Sequence, residues 1–196
     1  MQFGPCLPRI LQQIWEVDPK DGPVYLSKWD ISDDFHRCVL IPANVGAFSY
    51  VVPPIPPDTD IYMCVDLVLP MGWVSSPPFF CAASKTAADL ANAYLTYDRL
   101  PTLEYGPTLG NYSTIAYPPA SAGRLKEMDV YMDNLNCLAQ GSPDQHRRVT
   151  EMVLQGIKDI FPSLLFNLKD SFSLKKAQKG DGNWAVEKDI LGWILN

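Results

Sequence analysis

Asp30 and Asp133 are the side chains whose setting most invites chemistry. Asp30 ends the apolar stretch Val24–Asp30, so it falls at the end of a strand, facing a cleft. Asp133 and Asn134 stand between two apolar flanks in Met128–Gln140. That pattern reads as a hairpin with Asp133-Asn134 at its turn, because Asp and Asn both tolerate tight turns. A strand end and a hairpin tip can meet across a sheet although they are far apart in sequence. Two carboxylates brought that close repel unless a cation lies between them. Asp33 and Asp34 add negative charge beside Asp30, while Asn134 offers an oxygen acceptor without a charge.

Bringing these acids together requires a sheet, and the chain supplies its pieces. Residues 24–41 read as a strand, a polar turn and a second apolar run. Residues 61–68 are rich in strand formers. The proline cluster at 51–58 between them excludes a central strand. Residues 75–98 open with Ser-Ser-Pro-Pro, a helix-start signal, and continue with an alanine-rich body. Residues 99–127 are proline-punctuated and loop-like. After the hairpin, Ser142 caps a helix reaching about Phe161, with Val149, Met152, Val153, Ile157 and Ile160 on one face. A strand-like Leu-Gly-Trp-Ile-Leu closes the pattern. Residues 1–23 form a lead-in with a short helix over Ile10–Glu16. The mixture with an antiparallel hairpin predicts an α+β sandwich.

Four segments stand in a particular order: Lys28–His36 (KWDISDDFH), Leu69–Pro77 (LPMGWVSSP), Tyr131–Asn134 (YMDN) and Leu191–Ile194 (LGWI). Together they resemble motifs A, B and C and the distal LG-W element of the reverse transcriptases of retrotransposons. The resemblance spans residues 24–196. Tyr131-Met132-Asp133-Asn134 is similar to the Y-x-D-D box except at its last residue. Leu69–Pro77 is similar to the L-P-x-G-x-x-x-S-P box. Asp30 and Phe35 occupy the acidic and aromatic positions of motif A.

The resemblance implies a polymerase palm, an antiparallel sheet backed by two helices, with partial fingers. Residues 1–23 would be a lead-in belonging to those fingers. The palm would cover 24–170, with a fingers insertion near 42–68. Residues 171–196 would be a distal palm hairpin leading to a missing thumb. The implied activity is RNA-directed DNA polymerisation with two Mg2+ or Mn2+ ions. Its implied partners are an RNA or DNA template with primer and deoxynucleoside triphosphates, and the chain would belong to a longer polyprotein. Nucleotidyl transfer uses such an ion pair to hold the primer 3′-oxygen and the triphosphate. Asp30, Asp133 and Asn134 would be catalytic, with Asp30, Asp133 and the carbonyl of Ile31 as oxygen ligands. Phe35 would press on the sugar C2′ and exclude a ribose hydroxyl. Gly72 would let the backbone approach the nascent base pair. Met71 replaces a polar residue common at its position. Lys175 or Lys176 would bring a cation to the leaving pyrophosphate. Asn134 departs from the family's aspartate, and loss of that charge weakens metal binding and transition-state stabilisation. The same sequence therefore also fits an inactive reverse-transcriptase remnant or a domesticated nucleic-acid-binding module.

Charge and cysteine usage bound these readings. A net charge of −6 is a poor match to phosphate, which is bound by Lys and Arg. A polymerase fragment without its thumb would lack much of its basic surface. Basic residues remain at Arg147-Arg148 and in 175–188. An odd set of five cysteines, with no C-x-x-C spacing and two histidines, argues against zinc and for reduced thiols inside a cell. No secretory leader pattern opens the chain, and no apolar run reaches the ~18 residues of a membrane span.

Overall fold

The computed structural model of the protein describes residues 5–54, 56–57, 60–97, 125–162 and 170–196. Most of the loop expected at 99–127 lies outside them. The described chain is mixed α+β. Its central element is a three-stranded antiparallel sheet of β1 (Tyr25–Asp30), β4 (Lys126–Tyr131) and β5 (Asn134–Ala139), in the order β1-β5-β4. The register sets Asp30 opposite Asn134, and Asn134 opposite Tyr131.

Strand alternation gives the sheet two different faces. Trp29, Met128, Val130, Leu135, Cys137 and Ala139 point into the larger core. That core is completed by α2 (Ser76–Tyr97) and α3 (Pro143–Ile160), which lie side by side behind the sheet. Pro77 and Pro78 fall in the first turn of α2, where a missing N–H costs nothing. Ser142 caps α3, its hydroxyl accepting from the N–H of Gln145 at 3.4 Å. Val149, Met152, Val153 and Ile157 are fully buried along one face of α3, as the spacing predicts. The helices cross closely at Gly156, where an added Cβ would stand 2.6 Å from the carbonyl oxygen of Ala87. No residue with a side chain fits there without separating the helices.

The opposite sheet face is only partly covered. Helix α1 (Cys6–Glu16) lays Cys6 and Ile10 over Leu26, Leu138 and Ile190 in a second, smaller core. It begins earlier than the expected Ile10, since Pro8 is tolerated in a first turn. The hairpin β6 (Lys188–Ile190) and β7 (Trp193–Leu195) borders this core.

The turn between β4 and β5 differs from the sequence expectation. Its two loop residues are Met132 and Asp133, and Asn134 is already the first residue of β5. Met132 carries a positive φ of 55°, as the first loop position of a type II′ turn requires. Pairing of Tyr131 with Asn134 thus overrides Asn134's turn preference.

The second apolar run after β1 forms no strand. It makes only a single bridge, between Val39 and Val68, before a 3₁₀ segment at Pro42–Phe48. β2 (Ser49–Val52) and β3 (Tyr62–Val65) form a separate hairpin, and β2 stops before the prolines. All five cysteines are free. Among the described residues no helix is long and apolar enough to cross a membrane.

Candidate functional site

The site is built at one end of the central sheet. The N–H of Ile31 donates to the carbonyl of Asp133 at 2.9 Å, which ties the end of β1 to the hairpin tip. On its other edge β1 meets the chain returning from α3. Ser32 N–H donates to Ser171 O at 3.0 Å, and Ser173 N–H to Asp30 O at 2.8 Å. Arg37, almost wholly buried, stiffens this junction by donating to the Ser32 carbonyl and hydroxyl and to the carbonyl of Asp170. Ser173 then caps α4 (Leu174–Gln178), and this helix returns Lys176 to Asp30.

Asp30 and Asp133 therefore meet. The hairpin-tip tie sets Asp133 beside the end of β1, its charge acts on the Asp30 carboxyl, and Asp30 is only 6% exposed. Lys176 Nζ is hydrogen-bonded and ion-paired to Asp30 Oδ1. Asn134 Nδ2 donates to Asp133 Oδ1 at 2.8 Å, leaving the amide oxygen as an acceptor. Burial pushes the Asp30 carboxyl above its ordinary value, and the charge of Asp133 adds to the rise against the pull of Lys176. Asp34 is raised by burial and then by Asp30. For Lys176, burial works downward. Its hydrogen bond and attraction to Asp30, with Asp133 and Asp34, outweigh that and hold the ammonium above its ordinary value.

Beside this cluster opens a cleft of about 510 Å³. Asp30–Asp34 form one wall, and Asp170 with Phe172–Lys175 the other. Asp33 and Asp34 both have positive φ, 60° and 34°, a strained backbone for residues with side chains.

The donor set is all oxygen: two neighbouring carboxylates and the carbonyl of Ile31. Among the described residues no backbone donor uses that carbonyl. Such a set suits a hard divalent ion. No group of three or more His, Cys, Asp or Glu side chains among the described residues forms a fuller cage. A bound ion would therefore take its remaining ligands from carbonyl oxygen, water or substrate.

The structure brings together Asp30, Ile31, Asp133, Asn134 and Lys176. Of the expected site residues, Asp30 and Ile31 line the cleft, whereas Asp133, Asn134, Lys176, Phe35, Met71 and Gly72 are not among its lining residues. Phe35 packs edge-on against Phe80, with ring centroids 5.1 Å apart. Met71 is 66% exposed. Gly72 has φ +96°, and nothing lies within 4 Å of where its Cβ would be. The turn's left-handed backbone accounts for this glycine, rather than a close approach within the chain.

Sequence reasoning missed Arg37, which joins nearby Ser32 to the carbonyl of Asp170, 133 positions along the chain. It also missed Arg9 and Asp129, paired at 2.6 and 2.8 Å under α1. Neither Arg37 nor the Arg9–Asp129 pair belongs to a motif, so only the fold reveals them. No family model matches the chain, and no curated protein matches it, so the functional reading rests on the residues of the site.

Proposed function

We propose that the protein is the palm and partial fingers of a reverse-transcriptase-like polymerase, and that Asp30 and Asp133 hold divalent ions for template-directed nucleotidyl transfer. The observation that carries this reading is the placement of two carboxylates, one ending a strand and one on the hairpin tip tied to it by the Ile31 N–H to Asp133 carbonyl bond, with Asp30 on the wall of an open cleft. The three-stranded antiparallel sheet with two helices behind it supports the same reading. The β2–β3 hairpin would belong to the fingers. An ion pair here would supply Lewis-acid stabilisation to the attacking and leaving oxygens.

The chain's own residues would do the rest. Asp30 and Asp133 fix the ligand oxygens on a strand end and a hairpin tip, so the sheet sets their separation. Arg37 holds the loop that follows Asp30 in place. Lys176, paired to Asp30, would supply the cation for a leaving pyrophosphate. Phe35 would act on the sugar only through the surface it builds with Phe80.

Asn134 favours a second reading, a remnant that keeps the fold and has lost the reaction. Its amide contributes no charge, and it spends a donor on Asp133. Primer extension on an RNA template with Mg2+ or Mn2+ separates the two. Incorporation of deoxynucleotides supports the polymerase. No incorporation, with salt-dependent binding to an RNA–DNA hybrid retained, supports a binding module. Absence of both supports the remnant.

A further inference from the structure

Lys176 stands where a cation is needed most. Asp30 is nearly buried, and the backbone bond from Ile31 to Asp133 sets a second carboxylate beside it, an arrangement that calls for positive charge nearby. Among the described residues, Lys176 is the basic side chain ion-paired to Asp30. Its side chain is nevertheless 49% exposed. It projects from a helix of five residues, whose start is fixed by the Ser173 cap and by the Asp30 carbonyl. A lysine is a compact point charge on a flexible stem. It can therefore leave the carboxylates by rotating its own bonds, with α4 staying in place.

We propose that Lys176 is the resident counter-ion of the Asp30–Asp133 site and competes with the divalent ion for it. Without metal, the ammonium holds the two carboxylates together. When an ion binds, Lys176 gives up Asp30 and turns toward the adjoining cleft. Ion binding and the Lys176–Asp30 contact exclude each other, so the lysine sets the threshold at which the site fills. It also sets an order: the ammonium is free to meet an anionic substrate only after the metal has arrived. The inference rests on the metal-binding role of these acids proposed above.

The test is titration of the purified protein with Mn2+, following free Mn2+ by electron paramagnetic resonance. Lys176→Gln removes the competing charge and keeps a long polar side chain at a half-exposed position. The expected result is Mn2+ binding about tenfold tighter than wild type. Once Asp30→Asn is in place, adding Lys176→Gln should no longer change the binding. A second measurement follows thermal midpoints. Lys176→Gln should lower the metal-free midpoint, and Mn2+ should restore it to that of the metal-loaded wild type. Equal or weaker Mn2+ binding by Lys176→Gln overturns the lysine's role and leaves the metal site standing. Binding by neither protein overturns both.

Discussion

Two carboxylates stand in neighbouring rows on one face of the central sheet, each largely buried and each facing one basic side chain. Asp129 is met by Arg9, whose Nε and Nη2 lie 2.6 and 2.8 Å from its two oxygens. The surroundings are closed by α1 and by Cys6, whose thiol is pushed up to about 12 by burial first and then by the Asp129 charge. Asp30 is met by Lys176 through one oxygen, next to a second carboxylate and an open cleft. The guanidinium fork matches both carboxylate oxygens and leaves nothing to exchange. The ammonium matches one, and it can be replaced. Permanence and exchangeability are thus set by the partner's shape, not by the burial of the acid.

Removing each acid's charge should separate the two pairs by the largest margin. Asp30→Asn should cut metal-dependent primer extension by about 10³-fold with little change in stability. Asp129→Asn should do the reverse. It should keep the rate per folded molecule and cost about 2 kcal/mol of stability, since Arg9 is part-exposed and recovers some hydration. For a chain of this size that is a fall of about 4–8 °C in Tm, read by calorimetry. If Asp129→Asn abolishes extension at unchanged stability, the division of roles is wrong.

A restored charge sharpens the contrast next. Asn134→Asp should raise the metal-dependent rate by about 10²-fold, measured as single-nucleotide incorporation. Equal rates with either residue would remove the reason given for a weakened site. Exchanging the partner's shape should have a smaller effect. Lys176→Arg gives Asp30 a fork like that of Asp129, and Mn2+ affinity should fall about tenfold. Unchanged affinity would show that the fork is not what makes a pair permanent.

The smallest effect is in pH. The folded pKa of Asp30 lies above the ordinary carboxylate value of 3.8. The folded state therefore holds its proton more tightly than the unfolded state. The associated stability is present below that ordinary value and is lost as pH rises through the raised one. Without metal, wild-type Tm should fall across that window relative to Asp30→Asn. Parallel pH curves for the two proteins would contradict the rise.

Much of the fold was legible because its cues are local. The Ser142 cap and the apolar face of α3 read directly, as did the proline entry to α2 and the end of β2 before its prolines. The hairpin was legible but its turn was misplaced by one residue. Turn preference favoured Asn134, and cross-strand pairing with Tyr131 and Asp30 took it into β5. In the site, Asp30 and Asp133 were marked by their elements' ends. Lys176 was suggested by resemblance alone, because a partner 146 positions from Asp30 leaves no local trace. Phe35 was marked by resemblance too, and its ring lies edge-on against Phe80, a contact no spacing rule connects to it.

Iron-directed cleavage examines the meeting of the two acids most directly. Fe2+ placed at a magnesium site generates hydroxyl radicals that cut nearby backbone, and the cuts are mapped by mass spectrometry on wild type and Asn134→Asp. Paired cuts are expected around residues 30–34 and 131–134, suppressed by excess Mg2+ and absent in Asp30→Asn. Cuts at one segment only, or a pattern indifferent to Asp30→Asn, would contradict a shared ion between Asp30 and Asp133.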